Sequence, residues 1–127
     1  MEKFGEYIKK LRKDANMTLR QLAGKLDVSA VYILDIEKGR KPAPRRELLE
    51  KLIEIFQIKE QINIDLFYDM AAKTKGKNVL PEDVKEMYEE FDKIPALIRI
   101  LTRKNLKNSN LEEIIKEIET GKFKEGD

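Results

Sequence analysis

The chain has 127 residues, 41% hydrophobic and 39% charged, which suits one domain, or a small domain with an appendage, under a well-solvated surface. It holds no Cys and no His, so disulfides and thiolate metal centres are excluded, and the commonest general base and metal ligand are missing. The net charge of +2 is unevenly spread: residues 1–75 hold 16 Lys/Arg against 12 Asp/Glu, and residues 76–127 hold 10 against 12. A polyanionic partner therefore belongs with the first part.

The start, MEKFGEYIKK, is charged, and no apolar run approaches the roughly 18–20 residues a membrane helix needs. The expectation is a soluble, cytoplasmic protein with no signal peptide and no membrane contact. Phe4, Ile8, Leu11 and Ala15 recur at i, i+4, i+7 and i+11, one apolar stripe on a first helix ended by Asn16. Thr18 and Gln21 form a T-x-x-Q capping box that starts a second helix through Leu19, Leu22, Ala23 and Leu26. Asp27 interrupts it. Ser29 caps a third helix from about Ala30 to Lys38, stopped by Gly39.

The residues RKPAP form an extended connector, because Pro42 and Pro44 disfavour helix in the residues before them. Leu48, Leu49, Leu52, Ile53 and Phe56 give a fourth helix over about 45–56. A fifth, roughly 60–74, is expected to bury Ile64, Phe67, Tyr68 and Ala71. The polar stretch KTKGKN (73–78) reads as a linker. Beyond it Pro81, Glu82 and Asp83 suit a helix start, and Val84, Met87, Tyr88 and Phe91 line a sixth helix. Pro95 is expected to open a seventh, with Leu97, Ile98, Ile100 and Leu101. An eighth is capped by Ser109 with Glu112, or by Asn110 with Glu113, and carries Leu111, Ile114, Ile115 and Ile118. No stretch alternates as a strand does, so the fold class is all-α. The division expected is residues 1–75 as one domain and 80–127 as a C-terminal helical region with a dimerisation or regulatory role.

Two short helices joined by a tight turn, the second firmly capped, make a helix-turn-helix unit, whose second helix fits the DNA major groove. Ala23 is small where the helices cross; Val28 and Ile33 plug the angle between them, and Ile36 pins the third helix to the core. With Arg12, Thr18, Leu22, Ser29, Glu37 and Gly39, these residues make 4–56 resemble the DNA-binding domain shared by Cro, lambda repressor and the wider Xre-like regulators. The likeness extends less tightly to about residue 75, as a five-helix lambda-repressor-like domain. It implies an ion pair between Arg12 and Glu37, against the plainer possibility of two solvated charges. Two positions depart from the family pattern. Asp27 stands where Gly is usual, and Asp tolerates the left-handed conformation better than most residues. Leu19 stands where a phosphate-contacting Gln is common, although the free N–H groups at that helix start can hold a phosphate.

In the family's geometry Ala30, Val31, Leu34 and Asp35 face the base edges, where Ala and Val pack on thymine methyls and Asp accepts from cytosine N4. Thr18, Arg20, Gln21, Lys38, Arg40, Lys41, Arg45 and Arg46 supply phosphate contacts, which add affinity without reading sequence. The resemblance thus implies a regulator that binds double-stranded DNA sequence-specifically, most simply a repressor. A rival reading has the apolar outer face of the third helix docked on protein, as in an antitoxin or anti-repressor; Asp35 facing a polyanion favours it. Two copies are needed to read a pseudo-palindrome with half-sites about 34–36 Å apart. Leu97, Ile98, Leu101, Leu111, Ile114, Ile115 and Ile118 are the dimerisation candidates for a homodimer. Tyr32, Phe67 and Tyr68 read as packing residues rather than base stackers. Glu82, Asp83, Glu86, Glu89 and Glu90 read as a solvated acidic helix face. An enzyme, a cofactor and a metal are not expected, since nothing organises a catalytic group.

Overall fold

The computed structural model describes residues 2–123 and 125. The apolar spacings become helices α1 (Phe4–Asp14), α2 (Leu19–Leu26), α3 (Ala30–Glu37), α4 (Arg46–Ile55), α5 (Gln61–Lys73), α6 (Glu82–Glu90), α7 (Lys93–Arg103) and α8 (Asn108–Glu117). A π-helical turn, Ile118–Lys122, continues α8 and carries Gly121 at φ 98°. The described residues contain no strand, so the class is all-α. The chain divides into two compact units, Met1–Glu86 and Met87–Asp127, with the division inside α6.

The core of the first unit lies among α1 to α5. Phe4, Ile8, Leu22, Leu49 and Phe67 are its largest enclosed side chains, each contributing about 1.5–3 kcal/mol by leaving water. The Phe67 ring sits 5.4 Å from Phe4, 6.4 Å from Tyr7 and 6.0 Å from Tyr68, in the tilted and edge-on arrangements that aromatic quadrupoles favour. α3 packs on both α1 and α2, α1 also meets α5, and α2 meets α4. Gly5 is where α1 comes closest to the end of α3. A Cβ there would collide with the carbonyl oxygen of Ile36 and lie 2.6 Å from that of Glu37. The connector is anchored too: Ala43 and Pro44 are buried, and the Ala43 N–H donates to Thr74 Oγ1 at 2.8 Å.

Several boundaries and burials differ from the sequence expectation. α7 begins at Lys93, two residues before Pro95, because a proline without an N–H fits a helix's first turn as well as its first position. α8 begins at Asn108, so Ser109 and Asn110 lie inside its first turn and neither is the cap residue. Asn110 instead reaches back, its Oδ1 accepting the Lys107 N–H at 3.1 Å. Ile64 is only half-buried, while Met70 and Ala72 are enclosed. The acidic face of α6 is not uniformly solvated. Glu82 and Asp83 are half-buried; Glu82 lies 2.8 Å from Lys85 and 3.2 Å from Lys75, which together hold its carboxyl below the ordinary range, Lys85 most strongly.

In the second unit the described helices are amphipathic, yet no residue of α7 or α8 is buried. Leu101 and Leu111 are half-buried, and Leu97, Ile98, Ile114, Ile115 and Ile118 are exposed.

Candidate nucleic-acid interface

The site starts from two capped helix beginnings and one left-handed residue. At the start of α2, Thr18 Oγ1 accepts the Gln21 N–H at 3.0 Å and Gln21 Oε1 accepts the Thr18 N–H at 2.8 Å. The Thr18 hydroxyl proton and the Gln21 amide N–H groups stay available to an external oxygen, as do the first backbone N–H groups of α2. α2 ends at Asp27, in the left-handed region at φ 56°, ψ 46°. There the Val28 N–H donates to the Ala23 carbonyl at 3.0 Å and the Asp27 N–H to that of Gly24 at 3.3 Å. Two residues on, Ser29 Oγ accepts the Tyr32 N–H at 3.1 Å and starts α3. Ala23 and Ile33 are buried at this junction and Val28 is half-buried against the core.

This geometry leaves one side of α3 open. Val31 is 66% exposed, whereas Ala30, Leu34 and Asp35 are half-buried around it. Lys38, one turn beyond Leu34, is exposed. The helix itself is fixed from behind. The Arg12 guanidinium donates to both Glu37 carboxylate oxygens, from Nε at 2.7 Å and Nη2 at 3.1 Å, while Nη1 donates to the Met17 carbonyl at 2.9 Å. The Glu37 hydrogen bond raises the Arg12 pKa further above its already high value, so the pair stays ionised.

The basic residues are not a bare positive surface. Arg40 Nη1 lies 3.5 Å from Asp35 Oδ1, and the Arg40 N–H donates to the Asp35 carbonyl at 2.8 Å. Arg45 pairs with Glu47 at 3.2 Å, and half-buried Arg46 with Glu50 at 3.1 Å and Glu86 at 3.4 Å. Lys41 places its ammonium 5.4 Å from the centre of the Tyr32 ring, a cation–π approach. Arg20 and Lys38 are exposed and make no ion pair among the described residues. The structure therefore brings Ala30, Val31, Leu34 and Asp35 onto α3, with Lys38 capping its C-terminal end, and joins Arg40 to Asp35, but ties Arg45 and Arg46 into the acidic side chains of α4 and α6. Sequence reasoning missed the Asp35–Arg40 pair and the role of Gly5. The first had a signal, since a chain that turns at Gly39 (φ 75°) brings residue 40 back over the last turn of α3. The second had none, because close approach of two helices distant in sequence leaves no periodic mark.

A capped helix, a left-handed turn and a second capped helix braced by α1 define a helix-turn-helix domain. Residues 3–61 match the family model described as a helix-turn-helix domain. Among curated relatives, the HTH-type transcriptional repressor RghR of Bacillus subtilis is 40% identical over 58 residues, covering 46% of this chain and 43% of that one. A protein of Sulfolobus acidocaldarius named as an HTH-type transcriptional regulatory protein is 32% identical over 100 residues, 79% of this chain and 32% of its own length. The HTH-type transcriptional regulator RghRB of Bacillus subtilis is 23% identical over 94 residues, 74% of this chain and 63% of its own. The chain thus spans less than two thirds of each of these relatives. No solved structure matches it. No helix among the described residues is long and apolar enough to cross a membrane.

Proposed function

We propose that this chain is a sequence-specific, double-stranded DNA-binding transcriptional regulator of the Xre type, acting in the cytoplasm as a repressor by occupying a promoter. The observation that carries the reading is the open face of α3. It presents Val31 and Lys38 outward, with Ala30, Leu34 and Asp35 beside them, on a helix that the Arg12–Glu37 pair holds rigid. The relatives' names as transcriptional regulators support it.

In this reading residues 1–75, the helix-turn-helix domain, set α3 into the major groove. Ala30, Val31 and Leu34 read thymine methyls and groove shape, and Asp35 accepts from a cytosine amine. Thr18, Gln21 and the α2 start hold one phosphate; Arg20, Lys38, Arg40 and Lys41 hold others. Arg45 and Arg46 contribute once a phosphate displaces their carboxylate partners. The region 80–127 joins two copies, so that the homodimer reads two half-sites about 34–36 Å apart. No catalytic step, cofactor or metal enters.

Selection from random duplex DNA at moderate salt tests this: a symmetric motif should be enriched. Its affinity should fall linearly on logarithmic axes as salt rises. Charge reversal at Arg20 and Lys38, which make no ion pair among the described residues, should weaken all sequences alike. Unchanged affinity after that double reversal would overturn the docking. A stable complex with a host protein and no enriched motif would favour the adaptor reading instead.

A further inference from the structure

Between Lys41 and Arg45 the chain runs Pro42-Ala43-Pro44, and proline carries no backbone N–H. Ala43 therefore holds the only backbone donor of these three residues, and both Ala43 and Pro44 are buried. A buried N–H left without a partner costs about as much as a lost hydrogen bond, and this connector lies outside the helices that would supply one. The partner comes from 31 residues away, where Thr74 Oγ1 accepts the Ala43 N–H at 2.8 Å.

Thr74 is a firm anchor for that bond. It caps the C-terminal end of α5, and its hydroxyl donates to the Ala71 carbonyl at 2.7 Å, in a turn whose Ala71 and Ala72 are buried. The hydroxyl thus spends its proton on α5 and a lone pair on the connector. A valine of the same shape offers neither. Thr74 also lies beyond residues 3–61, the part that matches the helix-turn-helix model.

The connector carries a cation on each side of this bond. Lys41 stands two residues before Ala43 and Arg45 two residues after it, and both are exposed. Lys41 is also held on α3: its N–H donates to the Asp35 carbonyl at 3.3 Å, and its ammonium lies 5.4 Å from the centre of the Tyr32 ring. Arg45 is the N-cap residue of α4 and pairs with Glu47 at 3.2 Å. The segment is therefore tied at α3 and at α4, and its middle is tied to α5. Without the middle tie the Ala43 N–H must turn to water, and the residues on either side move with it. Charges fixed before binding lose less freedom on meeting a ligand than charges on a loose strand.

We infer that Thr74 is a positioning residue for duplex binding: its hydroxyl fixes the connector so that Lys41 and Arg45 meet the phosphate backbone in one arrangement. This rests on the proposed DNA-binding reading and adds to it a residue that acts through the connector and not by contact with DNA.

Fluorescence anisotropy on the full chain, with one duplex over a salt series, tests this with Thr74→Val and Thr74→Ser. Thr74 is itself exposed, so neither exchange opens the core. The slope of log affinity against log salt counts the phosphates neutralised. Thr74→Ser keeps the hydroxyl and should share the wild-type slope. Thr74→Val should bind roughly three- to tenfold more weakly at physiological salt, with a slope shallower by about one to two, as one or both cations leave their phosphates. A variant that is merely less stable loses apparent affinity in proportion to its folded fraction, read by circular dichroism, and keeps its slope. Adding Thr74→Val to K41A/R45A should change the slope no further, because the charges it positions are already gone. An unchanged slope in Thr74→Val overturns the inference alone, as does a Thr74→Ser that behaves like Thr74→Val. A further loss of slope in the K41A/R45A background overturns the assignment to those two cations. A wild type whose duplex binding ignores salt overturns the DNA-binding reading, and the inference with it.

Discussion

Arg12 and Glu37, 25 residues apart in sequence, meet in a two-pronged ion pair whose side chains are 10% and 2% exposed. The pair joins the last turn of α1 to the last residue of α3, so the helix proposed to meet DNA is oriented by chemistry on its far side. Removing one partner leaves a buried charge without compensation. Glu37→Gln should lower stability by about 3 kcal/mol in urea denaturation. Replacing both residues, as in R12M/E37L, should lower it by clearly less, because no orphaned charge remains. Equal losses in the single and double variants would make the pair a bystander.

Gly5 and Gly24 predict opposite responses to the same methyl group. At Gly5 the added carbon runs into the terminal carbonyls of α3, so Gly5→Ala should destabilise by about 1–3 kcal/mol as α1 is pushed away. At Gly24, in α2, an added carbon meets nothing within 4 Å, and Gly24→Ala should stabilise by about 0.5–1 kcal/mol through helix propensity. Thermal unfolding of the two variants side by side checks both signs.

Asp35 neutralises Arg40 on the face proposed to meet DNA. Asp35→Asn frees the guanidinium and removes a negative charge from the interface. Binding to non-specific duplex should strengthen, and the slope of log affinity against log salt should steepen by about one. Discrimination between sequences should fall at the same time, because one of the two carboxylate oxygens that can accept from a base amine becomes an NH2 donor. Fluorescence anisotropy on a specific and a scrambled duplex over a salt series reads both effects. A slope that does not change would mean that Arg40 stays away from phosphate.

Asp83 and Glu82 are neighbours on α6 whose stabilities run in opposite directions with pH. Burial, and then Asp65 and Asp69, raise the Asp83 pKa, and its Oδ1 is enclosed without a hydrogen-bond partner. A carboxyl with a raised folded-state pKa favours folding fully at pH below its unfolded value and loses that contribution as pH rises through the folded one. Asp83→Asn should therefore raise the melting temperature at pH 7 by the equivalent of about 0.5 kcal/mol and change it little near pH 3. Glu82, with a lowered pKa, stabilises above its unfolded value and loses this as pH falls through the folded one. Glu82→Gln should accordingly lower stability at pH 7, and the difference should close on acidification. Melting curves across this range decide both signs.

The helices of the first unit were legible from local rules, because their signals lie within a few residues. The T-x-x-Q box at Thr18 and Gln21, the Ser29 cap and the stripe of Phe4, Ile8 and Leu11 each specify backbone by spacing, and the helices form where those residues stand. The starts of α7 and α8 lie two or three residues earlier than local spacing suggests, since Pro, Ser and Asn suit several positions of a first turn alike. What local spacing leaves undetermined is which distant groups come within reach. That Gly5 makes room for the carbonyls of Ile36 and Glu37, that Arg46 turns to Glu86, and that Arg40 folds back on Asp35 depend on where the packed helices bring chain ends together. Helix formation follows from short-range geometry read along the chain. The charge state of the α3 face follows from Coulomb interactions between residues brought together by folding, so only the tertiary structure decides it.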